Sequence, residues 1–135
     1  MDKSLPNFKK LKKRFDCFVV LLTLRGSKYK SLDKAIKKQK GSEKDKAKVK
    51  TIDFSSQGIE KVSKDFGKGF LLLESFVGPE NRIKEFPVGL VTNCFETLTC
   101  VQLDGNMIKT IPPSIKNLCS LKSLSCINNN KQTSQ

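Results

Sequence analysis

The stretch LTCVQLDGNMIKTIPPSIKNLCSLKSLSCINNN, from Leu98 to Asn130, nearly repeats itself. Leu98, Val101, Leu103 and Asn106 are answered 23 positions later by Leu121, Leu124, Cys126 and Asn129. A fixed short period predicts units that stack on one another, because one such unit cannot bury its own apolar residues. If the period is real, it should continue upstream.

It does so twice. LESFVGPENRIKEFPVGL places Leu73, Phe76, Asn81, Ile83, Phe86, Pro87 and Leu90 where Leu98, Val101, Asn106, Ile108, Ile111, Pro112 and Ile115 fall in the next unit. TIDFSSQGIEKVSKDF repeats the frame with Ile52, Phe54, Gln57, Ile59, Val62 and Phe66. Ile52, Phe76, Val101 and Leu124 then mark strand positions separated by 24, 25 and 23 residues. Three departures stand out: Gln57 replaces the Asn, Ser63 replaces the Pro, and Gly78 stands where a strand should carry an apolar residue.

In each unit a short strand turns alternate side chains inward, and a second apolar group packs beneath it. Asn81, Asn106 and Asn129 recur at the following turn, where an amide can donate to and accept from backbone groups left unpaired; they are expected to be structural. The intervening residues are expected on the open, concave face. These are Thr51, Asp53 and Ser55; Ser75, Val77 and Pro79; Cys100, Gln102 and Asp104; and Ser123, Ser125 and Ile127.

This pattern over Thr51 to Asn130 resembles the leucine-rich-repeat family, and IPPSI makes it similar to the intracellular, Ras-binding-related class. The resemblance implies an α/β fold: a short leucine-rich-repeat solenoid with one curved parallel sheet, recognising a protein partner along the concave face. The expected organisation is a basic arm or small partial domain over residues 1–50, about four repeats over 51–130, and a polar tail over 131–135. With little polar chain after the fourth strand, Ile115, Leu118, Leu121 and Leu124 are expected to lack cover, as in a truncated form or one capped by a partner.

Charge divides the chain differently. Residues 1–50 contain seventeen Lys/Arg against five Asp/Glu, and residues 51–135 nine against eight, so nearly all of the formal +13 lies in the first third. Lys9, Lys10, Lys12, Lys13 and Arg14 are the candidate anion-binding residues there, for nucleic acid or an anionic membrane surface. Aromatic residues are too few among them for base-specific RNA reading. The apolar run Phe18 to Leu24 is too short to cross a membrane, which takes roughly 20 residues; it is expected to cover the N-terminal edge of the sheet or form a strand of a small preceding domain. SLDKAIKKQK reads as a helix with Ser31 as its N-cap, and Lys40 to Lys50 as a solvated linker.

FVVLLTLRGSKYKSLDKAI, followed by a Lys-rich link and then the repeats, is also similar to the N-terminal order of the leucine-rich-repeat substrate receptors of cullin-RING ubiquitin ligases. That resemblance implies substrate recognition for a ligase, with a pleckstrin-homology-like first region. Scaffolding in Ras-type signalling is the alternative implied by the repeat class.

Enzyme readings fail on inventory. The chain has no His, which removes imidazole acid–base and Cys-His chemistry. Gly67 to Gly69 (GKG) lacks the G-x-x-x-x-G-K-[ST] spacing of a phosphate loop. Five cysteines without a C-x-x-C suggest neither a disulfide framework nor zinc. No catalytic residue, cofactor or metal is expected, and a reducing cytoplasmic or nuclear compartment fits best.

Overall fold

The computed structural model describes residues 21–39 and 46–129. Five short strands, β1 (Leu21–Thr23), β2 (Thr51–Asp53), β3 (Ser75–Val77), β4 (Cys100–Gln102) and β5 (Ser123–Ser125), form one parallel sheet in chain order. Helix α1 (Leu32–Lys38) lies between β1 and β2, and α2 (Gly89–Asn93) between β3 and β4; 3-10 turns occur at Lys46–Lys48 and Pro113–Asn117. The fold is α/β with few helices.

Register follows the apolar period. Leu22, Ile52, Phe76, Val101 and Leu124 stand on paired positions across the sheet, and the first four are buried. Two residues on, Leu24, Phe54 and Leu103 are also buried, and their backbone N–H groups donate to Asp53, Val77 and Ser125 carbonyls at 2.8–2.9 Å, extending the ladders past the strands. Ile59, Ile83 and Ile108 form the next inward row, and Leu73 and Leu98 close the units before the following strand. All belong to one continuous core. Lateral pairing of short strands supplies the backbone hydrogen bonds, while burial of these side chains supplies the driving force, roughly 25 cal/mol per Å².

The sheet crosses residue 50: β1 pairs in parallel with β2 and makes the N-terminal edge strand. This is the edge expected for the Phe18 to Leu24 run, of which residues 18–20 lie outside the described residues. Ser31 caps α1, its side chain accepting from the Lys34 N–H at 3.4 Å; Asp33 lies in the first turn, with Lys37 and Lys38 in the last, as the helix dipole favours.

Two expectations are corrected. Val49, assigned to a solvated linker, is only 1% exposed; it is an isolated apolar residue whose lysine neighbours mask it in composition. At the other end, Leu118 is buried and Ile115, Leu121 and Cys126 are half-buried against the core. The uncovered residues there are Leu124, 40% exposed, and Ile127, 64% exposed. The 3-10 turn accounts for the difference: Leu118 N–H donates to Ile115 O and Leu121 N–H to Leu118 O, turning Leu118 inward.

Candidate interaction face

Strand alternation builds the open face directly. Thr51, Ser75, Cys100 and Ser123 are registered partners in one row, and Asp53, Val77, Gln102 and Ser125 in the next. Beyond the strand ends lie Ser55, Pro79, Asp104 and Ile127. Gln102, Ser123 and Ile127 are exposed, and the remaining members are half-buried. The expected face residues thus share one side of the sheet. To them β1 adds Leu21, 53% exposed, and half-buried Thr23, at the positions paired with Thr51 and Asp53. Sequence reasoning missed these two; the inward alternation of Leu22 and Leu24 is the signal that would have placed them.

The carboxylates on this face are engaged with the chain itself. Asp53 Oδ1 accepts from the Ser55 hydroxyl at 2.6 Å and the Ser55 N–H at 3.0 Å. Asp104 Oδ1 accepts from the Ser125 hydroxyl at 2.6 Å and the Ile127 N–H at 2.7 Å, tying β4 to the turn after β5. One oxygen of each carboxylate is thus engaged by donors of the chain itself.

Beneath the face, an amide ladder fixes the spacing of the units. Asn81 Oδ1 accepts from the Gln57 and Ile59 N–H groups at 2.9 Å, while its Nδ2 donates to Phe54, Gly78 and Pro79 carbonyls at 2.9–3.2 Å. Asn106 accepts from Ile83 N–H and donates to Gly78, Leu103 and Asp104 carbonyls. Asn129 accepts from Ile108 N–H and donates to Leu103 and Cys126 carbonyls. Asn81 and Asn106 are the buried polar residues of the core. Such groups are tolerated because nearly every donor and acceptor is used. Gln57 takes the same place in the earlier unit, accepting from Ser27 N–H at 2.8 Å and donating to Ser55 O. Asp33 Oδ1 accepts from Ser63 N–H at 2.7 Å, where other units have proline and no such donor.

Two thiols are held protonated by their environment. Burial pushes the Cys94 thiol up to about 11. Burial and then the Asp104 carboxylate push Cys126 to about 11. Neither is a nucleophilic thiolate at neutral pH. Cys126, at the position where the preceding unit has buried Leu103, is half-buried because β5 has no strand beyond it among the described residues.

No group of three or more Cys, Asp or Glu side chains that could hold a metal ion occurs among the described residues, and no helix there is long and apolar enough to cross a membrane. Lys9, Lys10, Lys12, Lys13 and Arg14, the anion-binding candidates, lie outside the described residues. The fold and this site together define a five-stranded parallel sheet with one face left open. Comparison with family models, curated proteins and solved structures returns no match to this chain.

Proposed function

We propose that the protein is a non-enzymatic protein-interaction module, a short leucine-rich-repeat solenoid that recognises its partner on the open sheet face. The observation that carries this reading is the bareness of that face. All-parallel sheets are ordinarily covered on both sides, whereas here the side bearing Ser75, Val77, Cys100 and Gln102 is half-exposed or exposed. Small side chains in registered rows offer a shallow surface for close approach, and Asp53 and Asp104 are already hydrogen-bonded within it. The partner surface it suits is therefore polar and of low net charge.

Substrate recognition within a cullin-RING ubiquitin ligase is the specific form of this role we favour, on the order of the segments FVVLLTLRGSKYKSLDKAI, Lys-rich link and repeats. A photo-reactive side chain placed at Gln102 or Ser125 should give a discrete adduct with a protein, and Val77→Arg should abolish it. Adducts only from a control position at Lys116 would refute the assignment to this face. Loss of partner binding on charge reversal of Lys9, Lys10, Lys12, Lys13 and Arg14, with Val77→Arg harmless, would transfer the function to the basic arm.

A further inference from the structure

The backbone ladder of the sheet stops at β5 with its pattern unfilled. The carbonyls of Lys50, Glu74 and Thr99, the residues before β2, β3 and β4, each accept from two N–H groups at the start of the following strand. Lys122 holds the same place before β5, and its carbonyl has no such donor among the described residues. Past the strands, Phe54 N–H donates to Val77 O and Leu103 N–H to Ser125 O, whereas Cys126 N–H, the counterpart of Leu103 N–H, has no acceptor there. Gly105 N–H donates to Ile127 O, and its counterpart, Asn128 N–H, is likewise unpaired among the described residues. These groups repeat the pattern that holds β3 on β2 and β4 on β3, so the strand they would accept is parallel and of fixed register.

Side chains mark the same edge. Leu90, Leu98, Val101 and Leu103 are 0% exposed, but of their counterparts one unit on, Leu124 is 40% exposed and Ile115, Leu121 and Cys126 are half-buried. β4 is flanked by β3 and β5, while β5 has β4 alone. The added exposure of the last unit therefore lies on the side away from β4, where the unpaired Cys126 N–H also points. Charge decides what suits that side. Residues 105–129 contain Lys109, Lys116 and Lys122, all exposed and without an ion pair among the described residues, and no carboxylate. The carboxylates next to them in the chain, Glu96 and Asp104, belong to the preceding unit, and Asp104 Oδ1 already accepts from Ser125 and Ile127. A second copy would bring the same lysines to the contact, and like charges there repel. Residues 130–135, NKQTSQ, have no apolar side chain with which to cover Leu124.

We propose that the β5 edge is a strand-addition site, which takes an extended, acidic segment of a protein partner as a further parallel strand of the sheet. The segment places apolar residues at alternate positions against Leu124 and Cys126, and carries Asp or Glu at its ends to meet the lysines of the last unit. Its backbone donates to Lys122 O and accepts from the Cys126 and Asn128 N–H groups. Main-chain hydrogen bonds give such a contact its affinity, and the alternate side chains give it selectivity. Edge strands left in this state are templates for pairing with another chain. The site is distinct from the open sheet face, because it uses the main chain and the inward row of the last unit rather than the outward rows.

The probe for the full chain is a short peptide with leucine at two alternate positions and glutamates at both ends. It should slow amide exchange at Leu124, Cys126 and Asn128 and leave Ile52 and Phe76 unchanged. Lysines in place of its glutamates should abolish binding, and Lys116→Glu combined with Lys122→Glu should weaken binding of the acidic peptide about tenfold. Cys126→Pro removes the outward N–H without breaking a backbone bond of the described residues, as edge strands tolerate, and should also abolish binding; thermal melts establish that each variant is folded. Val77→Arg should leave this binding intact, which separates the edge from the open sheet face. Equal affinity for the acidic and lysine-ended peptides would overturn the proposal, as would protection that falls on β1 or across the open face. Slow exchange at Cys126 and Asn128 in the free monomer, or a dimer whose protected amides lie in β5, would also overturn it, since the chain or a second copy would then fill the edge.

Discussion

The ring of Phe54 occupies the space that a side chain on Gly78 would need. A Cβ built on Gly78 falls against Cζ and both Cε atoms of that ring. Phe54 is completely buried, and its ring lies 5.0 Å from that of Phe76. The missing apolar residue of the third strand is thus supplied by an oversized one from the second. Gly78→Ala should destabilise by about 1–3 kcal/mol through overpacking. Combining it with Phe54→Leu should recover part of that loss; a double-mutant cycle in urea that shows simple additivity would contradict the coupling.

The amides of the ladder should be costly to remove. Asn106→Ala leaves Ile83 N–H and the Gly78 carbonyl without this partner in the core, and a loss of about 1–3 kcal/mol is expected in denaturant unfolding. Asn117→Ala, at an exposed position in the 3-10 turn, should change stability little. Gln57→Ala should fall between the two, because Gln57 is half-buried and accepts one N–H group. Equal effects at all three positions would count against the ladder.

The Cys94 and Cys126 thiols make stability fall in alkali. Both Cys94 and Cys126 titrate near 11 in the folded chain, above their ordinary value of 9.0. The folded state therefore keeps protons that the unfolded state releases, so their contribution is complete below pH 9 and is lost as pH rises through 11. Cys94→Ala with Cys126→Ala should flatten the decline of unfolding free energy across that window. An unchanged slope would show that the thiols are not its source. At neutral pH, exposed Cys119 should alkylate before buried Cys94.

Local opening should be graded along the sheet. Ile52 and Phe76 are completely buried at the centres of β2 and β3, whereas Leu124 in β5 is 40% exposed. Amide hydrogens from Ser123 to Ser125 should exchange faster than those from Ser75 to Val77, since less apolar burial opposes opening. Comparable protection in the two strands would mean that β5 has cover not evident from its exposure.

Strand register was legible in the chain because it depends on a one-dimensional rule. Ile52, Phe76, Val101 and Leu124 recur at nearly constant spacing, and parallel strands entered at the same point of each unit pair at those residues. The same spacing located Asn81, Asn106 and Asn129, and alternation about the strand centres placed Val77 and Gln102 on the opposite side from Phe76 and Val101. Leu22 was harder to place, because 30 residues separate it from its partner Ile52 and the intervening α1 breaks the period.

Sequence by itself therefore determined the register of β2 to β5 and which of their strand residues turn inward, since both follow from the periodicity of short strands and their returning connections. Only the tertiary structure decided how the irregular positions were satisfied. Phe54 fills the gap at Gly78, Gln57 reaches Ser27, Asp33 engages Ser63, and Val49 enters the core from a lysine-rich stretch. Each solution joins residues of different units or segments through side-chain size and hydrogen-bond reach. Those properties depend on distances across the folded chain and leave no periodic trace along it.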